Sequence, residues 1–202
     1  TTDGVTDTYD YDYDARGQLV EVQKNSVVVE SYGYDDNGNR SSAEVYGVPS
    51  VATYDDQDRL RDYAGSSYVH APAGRLLTRT APGNQVTTYA YDEAGNRISQ
   101  TDANTHVTRF EFDSVGRQTR RILPDGASER FTYDAVGNRG SRTDFMGRTT
   151  LYDYDLQSRL LRRTYPGNVQ VSFTYTPTGR RLTATDARGT TTYGYDTRDR
   201  VT

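Results

Sequence analysis

The sequence predicts an all-β fold, in which tandem β-hairpins join into an extended, curved antiparallel sheet. Two observations carry the prediction. An aromatic-x-aromatic-Asp-x-x-Gly pattern returns at a fixed interval: the second aromatics of consecutive copies are Tyr91, Phe112, Tyr133, Tyr154 and Tyr175, 21 residues apart. Between these copies lies a second set of turn signals, so that a turn falls about every ten residues, the spacing of short antiparallel strands.

The letters of one copy define its local structure. In Tyr89-Ala90-Tyr91-Asp92-Glu93-Ala94-Gly95-Asn96-Arg97 the two rings stand two residues apart and therefore share one face of a strand. Asp92 followed three residues later by Gly95 matches a type I turn with Asp first and Gly fourth. The Asp carboxylate accepts backbone N–H groups there, and Gly adopts positive φ where the next strand begins. Each repeat is then one hairpin with strands of about six residues, roughly 20 Å long.

In chain order, the first copy holds Tyr11, Tyr13, Asp14 and Gly17, and the second Tyr32, Tyr34, Asp35 and Gly38. Between them, Val20 to Val22 and Val27 to Val29 flank Lys24-Asn25-Ser26, a hairpin tip. Copies between residues 50 and 80 are degenerate: Ala52 and Asp58 replace the first aromatic and the Gly, and His70 and Ala71 replace the second aromatic and the Asp. The pattern then runs through Tyr89, Tyr91, Asp92, Gly95 and Arg97; Phe110, Phe112, Asp113, Gly116 and Arg117; Phe131, Tyr133, Asp134, Gly137 and Arg139. It continues with Tyr152, Tyr154 and Asp155, then Phe173, Tyr175 and Gly179, and ends with Tyr193, Tyr195 and Asp196, one residue early. The intervening turns are signalled by Asp102, Pro124-Asp125-Gly126, Asp144 to Gly147, Pro166-Gly167-Asn168 and Asp186. Residues 1–202 read as a single array of about ten copies, and the start at Thr1 and stop at Thr202 read as a segment of a longer repeat protein.

Composition says what holds such an array together. Only 33% of residues are hydrophobic, 18 are Tyr, and mean hydropathy is −0.88. Ile, Leu, Val and Phe are too sparse to fill a globular core. Backbone ladders and stacked Tyr, Phe and Arg must supply stability instead. In-register aromatics and a net charge of only −4 separate the chain from disordered sequences of similar hydropathy. Arg97, Arg117, Arg139, Arg159, Arg180 and Arg200 follow the turn Gly or its stand-in, where a planar guanidinium lies beside the Asp or over a ring.

Several chemistries are excluded or disfavoured. There is no Cys, hence no disulfide, thiolate or zinc-cysteine site, and no apolar run long enough to span a membrane. Acidic residues outnumber basic ones and no basic block occurs, which argues against nucleic acid. His70 and His106 sit at repeat positions and read as packed or solvent-facing rings. Carboxylate pairs such as Asp12 with Asp14 and Asp153 with Asp155 recur at turn positions, so they read as caps and not as a hydrolytic pair. Asp10, Asp12, Asp14 and Glu21 match four positions of a calcium loop, yet Ala15 stands where its Gly belongs and the flanks read as strand. The expectation is no catalytic residue, no metal and no cofactor.

The stretches YDYDARGQL, YGYDDNGNR, YAYDEAGNR and FTYDAVGNR resemble the YD repeats of the Rhs/YD-repeat family, and the resemblance covers essentially the whole chain. That family comprises bacterial polymorphic toxins, toxin-complex subunits and wall-associated proteins, with distant similarity to teneurins. The resemblance implies a segment of a spiralling β-shell, secreted or at the bacterial surface, without enzymatic activity. Its partners would be the rest of the shell and an enclosed toxin or effector domain. The Asp-Pro motifs of the family's self-cleaving segment have no counterpart here, so no autoprotease is carried over. Two alternatives stay open: a carbohydrate- or receptor-binding β-array, for which Tyr stripes with Asp, Asn and Arg are suited, and a hydrolase using the Asp residues. Open sheet edges would also permit self-association.

Overall fold

A computed structural model of the chain describes residues 6–198 and 200–202. They form nineteen strands: β1 (Tyr9–Tyr13), β2 (Leu19–Lys24), β3 (Val27–Tyr34), β4 (Arg40–Val45), β5 (Val48–Tyr54), β6 (Leu60–Tyr63), β7 (Ser66–His70), β8 (Leu76–Ala81), β9 (Gln85–Tyr91) and β10 (Arg97–Thr101). There follow β11 (Val107–Phe112), β12 (Gln118–Ile122), β13 (Ser128–Tyr133), β14 (Arg139–Thr143), β15 (Thr149–Tyr154), β16 (Leu160–Thr164), β17 (Gln170–Tyr175), β18 (Arg181–Asp186) and β19 (Gly189–Thr192). A single 3-10 turn at Pro166–Asn168 is the sole helical element among the described residues.

The chain divides into two compact units, Thr1–Ala90 with Gln100–Thr105 and Tyr91–Ser99 with His106–Thr202. In the first, each strand from β1 to β9 pairs antiparallel with the next. The second repeats this from β11 to β19. Within each unit the Asp-x-x-Gly turns and the intervening tips lie at opposite ends of the strands.

Turn chemistry sets the register. The second aromatic of each copy coincides with a register shift, as between Glu111 and Phe112, Thr132 and Tyr133, and Thr174 and Tyr175. The extra residue lies in the outgoing strand three positions after the turn Gly, at Thr119, Gly140 and Leu182, so each shift is a β-bulge just beyond the turn. Between β2 and β3 the tip is Asn25-Ser26 with φ of 52° and 64°, a two-residue type I′ loop whose twist matches that of its strands. The tip between β12 and β13 differs from the Pro124-Asp125-Gly126 expectation by one residue: Leu123 opens the turn, accepting the Gly126 N–H. Pro124 takes the second position, where its fixed φ is suited.

Little is buried. Val22, Ala43 and Ala52 are the buried hydrophobic residues, joined by Ser66 and Glu129, all among the described residues. These small, scattered positions mark where neighbouring rings cover a strand, and none is the centre of a second layer. Stability must therefore come from strand-to-strand contacts, as composition indicates.

The second unit has two chemically distinct faces. One carries the alternating row Phe110–Arg121–Glu129, Phe131–Arg142–Thr150 and Tyr152–Arg163–Val171, each set directly paired across strands. The other carries hydroxyl pairs, Thr132 with Ser141 at 2.7 Å, Thr143 with Thr149 at 2.8 Å and Thr174 with Thr183 at 2.7 Å, and the ion pairs Arg120–Glu111 and Arg162–Asp153.

Candidate functional site: the seam between repeats

The recurrent arrangement is built on the turn Asp. Its backbone N–H donates to the carbonyl four residues on, and the turn Gly N–H donates back to the Asp carbonyl; in the Asp113 turn these bonds are 2.9 and 3.0 Å. Asp113 Oδ1 accepts the N–H groups of Val115 and Arg117, at 3.1 and 2.9 Å. Oδ2 accepts Arg117 Nε at 2.6 Å. The carboxylate is thereby used on both oxygens and locks the turn from inside.

In most copies that keep the Asp, the residue four after it completes the lock with its side chain. It is Asn39, Asn96 and Asn138, whose side-chain amides donate to Asp35, Asp92 and Asp134. Elsewhere it is Arg59, Arg117, Arg159 and Arg200, whose Nε donates to Asp55, Asp113, Asp155 and Asp196. Arg148 does the same for Asp144 in a tip turn. The side-chain bond from Arg59 holds the Asp55 carboxyl down at about 2. Amide bonds from Asn96 and Asn138 lower Asp92 and Asp134, and the Arg148 side chain lowers Asp144. In each case hydrogen bonds to the ionised form favour it.

Two contacts then tie one repeat to the next. Arg117 lies 4.9 Å over the Tyr133 ring of the following copy and donates Nη1 to the Asp134 carbonyl at 3.1 Å. Arg159 stacks likewise on Tyr175, and Arg59 donates to the Ala71 carbonyl. In return the second aromatic reaches back: Tyr34 donates its hydroxyl to the Leu19 carbonyl at 2.8 Å, Tyr133 to Gln118 at 2.9 Å and Tyr175 to Leu160 at 2.8 Å. Tyr54 to Arg40 and Tyr195 to Arg181 repeat the link. Phe112, lacking a hydroxyl, interrupts it.

The six arginines expected to form one ladder separate by one position into different jobs. Arg117, Arg159 and Arg200 hold turns, whereas Arg139 lies over Phe131 and Arg97 over Phe110 at about 5 Å, from the strand beyond the turn. The physical reason is one position of reach: four residues after the turn's first position Arg117 is still bonded into the turn, whereas five after it Arg139 has entered the strand, paired with Tyr133. Sequence reading also passed over Gln18, Asn39, Asn96 and Asn138 as members of the lock. Their signal was available: in every copy of the aromatic motif the position four after the turn's first residue is Gln, Asn or Arg.

Departures from the motif show which atoms matter. Ala71 keeps the backbone turn without any carboxylate. Thr176 substitutes a hydroxyl that accepts the Arg180 N–H. Asp58 and Ser158 take the Gly position at φ 58° and 60°. Asp14, one of the four calcium-loop matches, accepts the N–H groups of Arg16 and Gln18 as a turn lock. Asp153 pairs with Arg162 and Asp155 with Arg159, so the pair is divided between a strand and a turn. Among the described residues no group of three or more His, Asp or Glu is arranged to hold a metal, and no helix is long and apolar enough to cross a membrane.

In comparison with known proteins, the Teneurin YD-shell family matches residues 2–146 and the RHS Repeat family residues 154–191. No curated protein matches the chain. Among solved structures, the crystal structure of TcdB2-TccC3-Cdc42 aligns with all of this chain at TM-score 0.76 and 18% identity, covering 13% of its own chain. Those of TcdB2-TccC3-TEV and TcdB2-TccC3 align with 96% of this chain at TM-score 0.54, with 13% and 15% identity, over 14% and 12% of theirs. The chain thus has the fold of a small part of those much longer chains. With the Teneurin YD-shell match spanning well over half of its length and the seam repeated through both units, this chain belongs to the Teneurin YD-shell family.

Proposed function

We propose that residues 1–202 are one continuous array of YD repeats forming a wall segment of a shell that encloses or presents a toxin or effector domain, outside the cell that makes it. The observation that carries this reading is the seam. Where the motif is complete, a repeat commits its Tyr hydroxyl, its turn carboxylate and its Arg or Asn to its own turn, the neighbouring strand or the next repeat, which is what a wall requires. Family membership and the TcdB2-TccC3 likeness support a structural role without enzymatic activity. The same spending of rings and hydroxyls disfavours a glycan-binding array.

The test is cryo-EM of the natural polypeptide containing this segment, together with limited proteolysis. A closed wall around internal density, with the adjoining domain resistant to protease until the wall is denatured, supports the reading. An open array whose neighbouring domain is cleaved at the free-domain rate refutes it.

A further inference from the structure

We infer that the ring-bearing face of the second unit is a docking surface for an extended, acidic polypeptide segment. Charge is segregated along this chain: the first unit carries 15 acidic against 7 basic side chains, the second 13 against 17. A net charge of −4 hides a basic second half.

On the face that bears the rings, Arg121, Arg142 and Arg163 stand on the alternate strands β12, β14 and β16. Alternate strands with a two-residue offset place them roughly 10 to 12 Å apart. Arg139 and Arg181 extend the basic row, stacked on Phe131 and Phe173 at 4.9 and 4.8 Å. Glu129 is the acid directly paired into this row, and it engages Arg142 at 2.6 Å.

Among the described residues no carboxylate pairs with Arg121, Arg139 or Arg181; their contacts are with rings, Arg121 lying 5.6 Å over Phe145. Nε of Arg121 and of Arg163, like that of Arg120 on the opposite face, is out of water and makes no hydrogen bond, so a partner can reach only the outer Nη groups. Stacking uses the flat side of a guanidinium and leaves the outer Nη edge of Arg121, Arg139 and Arg181 for a carboxylate, whereas Arg163 already donates one Nη to the Tyr165 hydroxyl at 3.1 Å. The opposite face differs in kind, because Arg120 and Arg162 already hold Glu111 and Asp153.

The partner's class follows from the rings. A single-stranded nucleic acid would need them free for bases to stack, and here Phe131, Tyr152 and Phe173 are covered by arginines of this chain. Carboxylates need only the outer Nη edges. A segment in the extended polyproline-II conformation, with three residues per turn, places every third side chain on one side roughly 9 Å apart, close to the interval of the row. This inference is independent of the shell reading, since an open array would present the same face.

Fluorescence anisotropy of the full chain with a labelled Glu/Ser-rich peptide tests it. The expected result is saturable binding at low salt, weakened about tenfold on raising salt from about 50 to about 300 mM. The triple variant Arg121→Gln, Arg163→Gln, Arg181→Gln should bind at least about tenfold more weakly, while Arg120→Gln with Arg162→Gln binds like the parent. Circular dichroism melts verify folding, and Lys at the same three positions should retain part of the affinity where Gln loses it. Absence of binding at low salt, equal loss from the two faces, or equally tight binding of a single-stranded oligonucleotide of matched charge would overturn the assignment.

Discussion

Tyr133 donates its hydroxyl to the carbonyl of Gln118, 15 residues earlier, at 2.9 Å. Gln118 opens the strand just beyond the preceding turn, so the bond fastens two consecutive repeats where the bulge interrupts the strand ladder. Tyr133→Phe removes this bond and nothing else, and should cost about 1 kcal/mol. Denaturant melts read the loss. Hydrogen exchange should quicken locally at the Asp113 and Asp134 turns. The same change at Tyr154, which makes no such bond, should be nearly silent; equal losses at the two sites would refute the seam role.

The turn Gly position separates strain from bonding. Ser158 sits at φ 60°, so Ser158→Gly should raise stability by about 0.5 to 1 kcal/mol as the left-handed penalty is relieved. Asp58 has similar φ but accepts the amides of Asn37 and Asn39 from the previous repeat, at 2.8 and 2.7 Å. Asp58→Gly should therefore lower Tm. Gly95→Val, at φ 92°, should be worse than either, since a β-branched residue resists that region.

The hairpin period, the turn residues and the lack of a globular core were legible because each is a local property of a short word: ring alternation, Asp-x-x-Gly, few aliphatics. What escaped was non-local. The separate jobs of Arg117 and Arg139 depend on which ring each meets, Tyr133 of the following copy for Arg117 and Phe131 across its own hairpin for Arg139. The carbonyls that receive Tyr34 and Tyr133 belong to Leu19 and Gln118, whose identities are irrelevant to the bond. No residue pattern encodes a backbone acceptor. Charge segregation was present in the letters and was averaged away by summing the whole chain.

Acid should leave the array intact until unusually low pH. The turn carboxyls of Asp55, Asp92, Asp113, Asp134, Asp144, Asp155 and Asp196 lie below the ordinary value in the folded chain, Asp55 at about 2. A depressed folded value means their contribution is whole above the unfolded value near about 4 and fades as pH falls toward the folded one. Urea midpoints should thus be flat from pH 7 to about 5 and fall steeply between about 4 and 2. A steep fall already at pH 5 to 6 would show that other groups govern acid stability. Replacing Asp55 by Asn should blunt the acid limb while lowering the midpoint at pH 7.

Arg117 combines three contacts, Asp113 Oδ2 at 2.6 Å, the Asp134 carbonyl at 3.1 Å and the Tyr133 ring at 4.9 Å. Lys keeps the charge and loses the planar fork, so Arg117→Lys should forfeit the simultaneous fit that joins turn to ring. Its side chain is about one-third exposed, which limits the expected loss to about 1 kcal/mol. A double-mutant cycle between Arg117→Lys and Tyr133→Leu isolates the stacking part, and a coupling of about 0.5 to 1 kcal/mol is expected. Arg181→Lys with Tyr133→Leu is the control, because Arg181 covers Phe173 and is paired with Tyr175. Coupling confined to Arg117 would establish that the residue four after the turn Asp joins repeats, while the residue five after it covers a ring. Equal coupling in the two cycles would mean that the arginines act as one diffuse layer, sorted in position and not in energy.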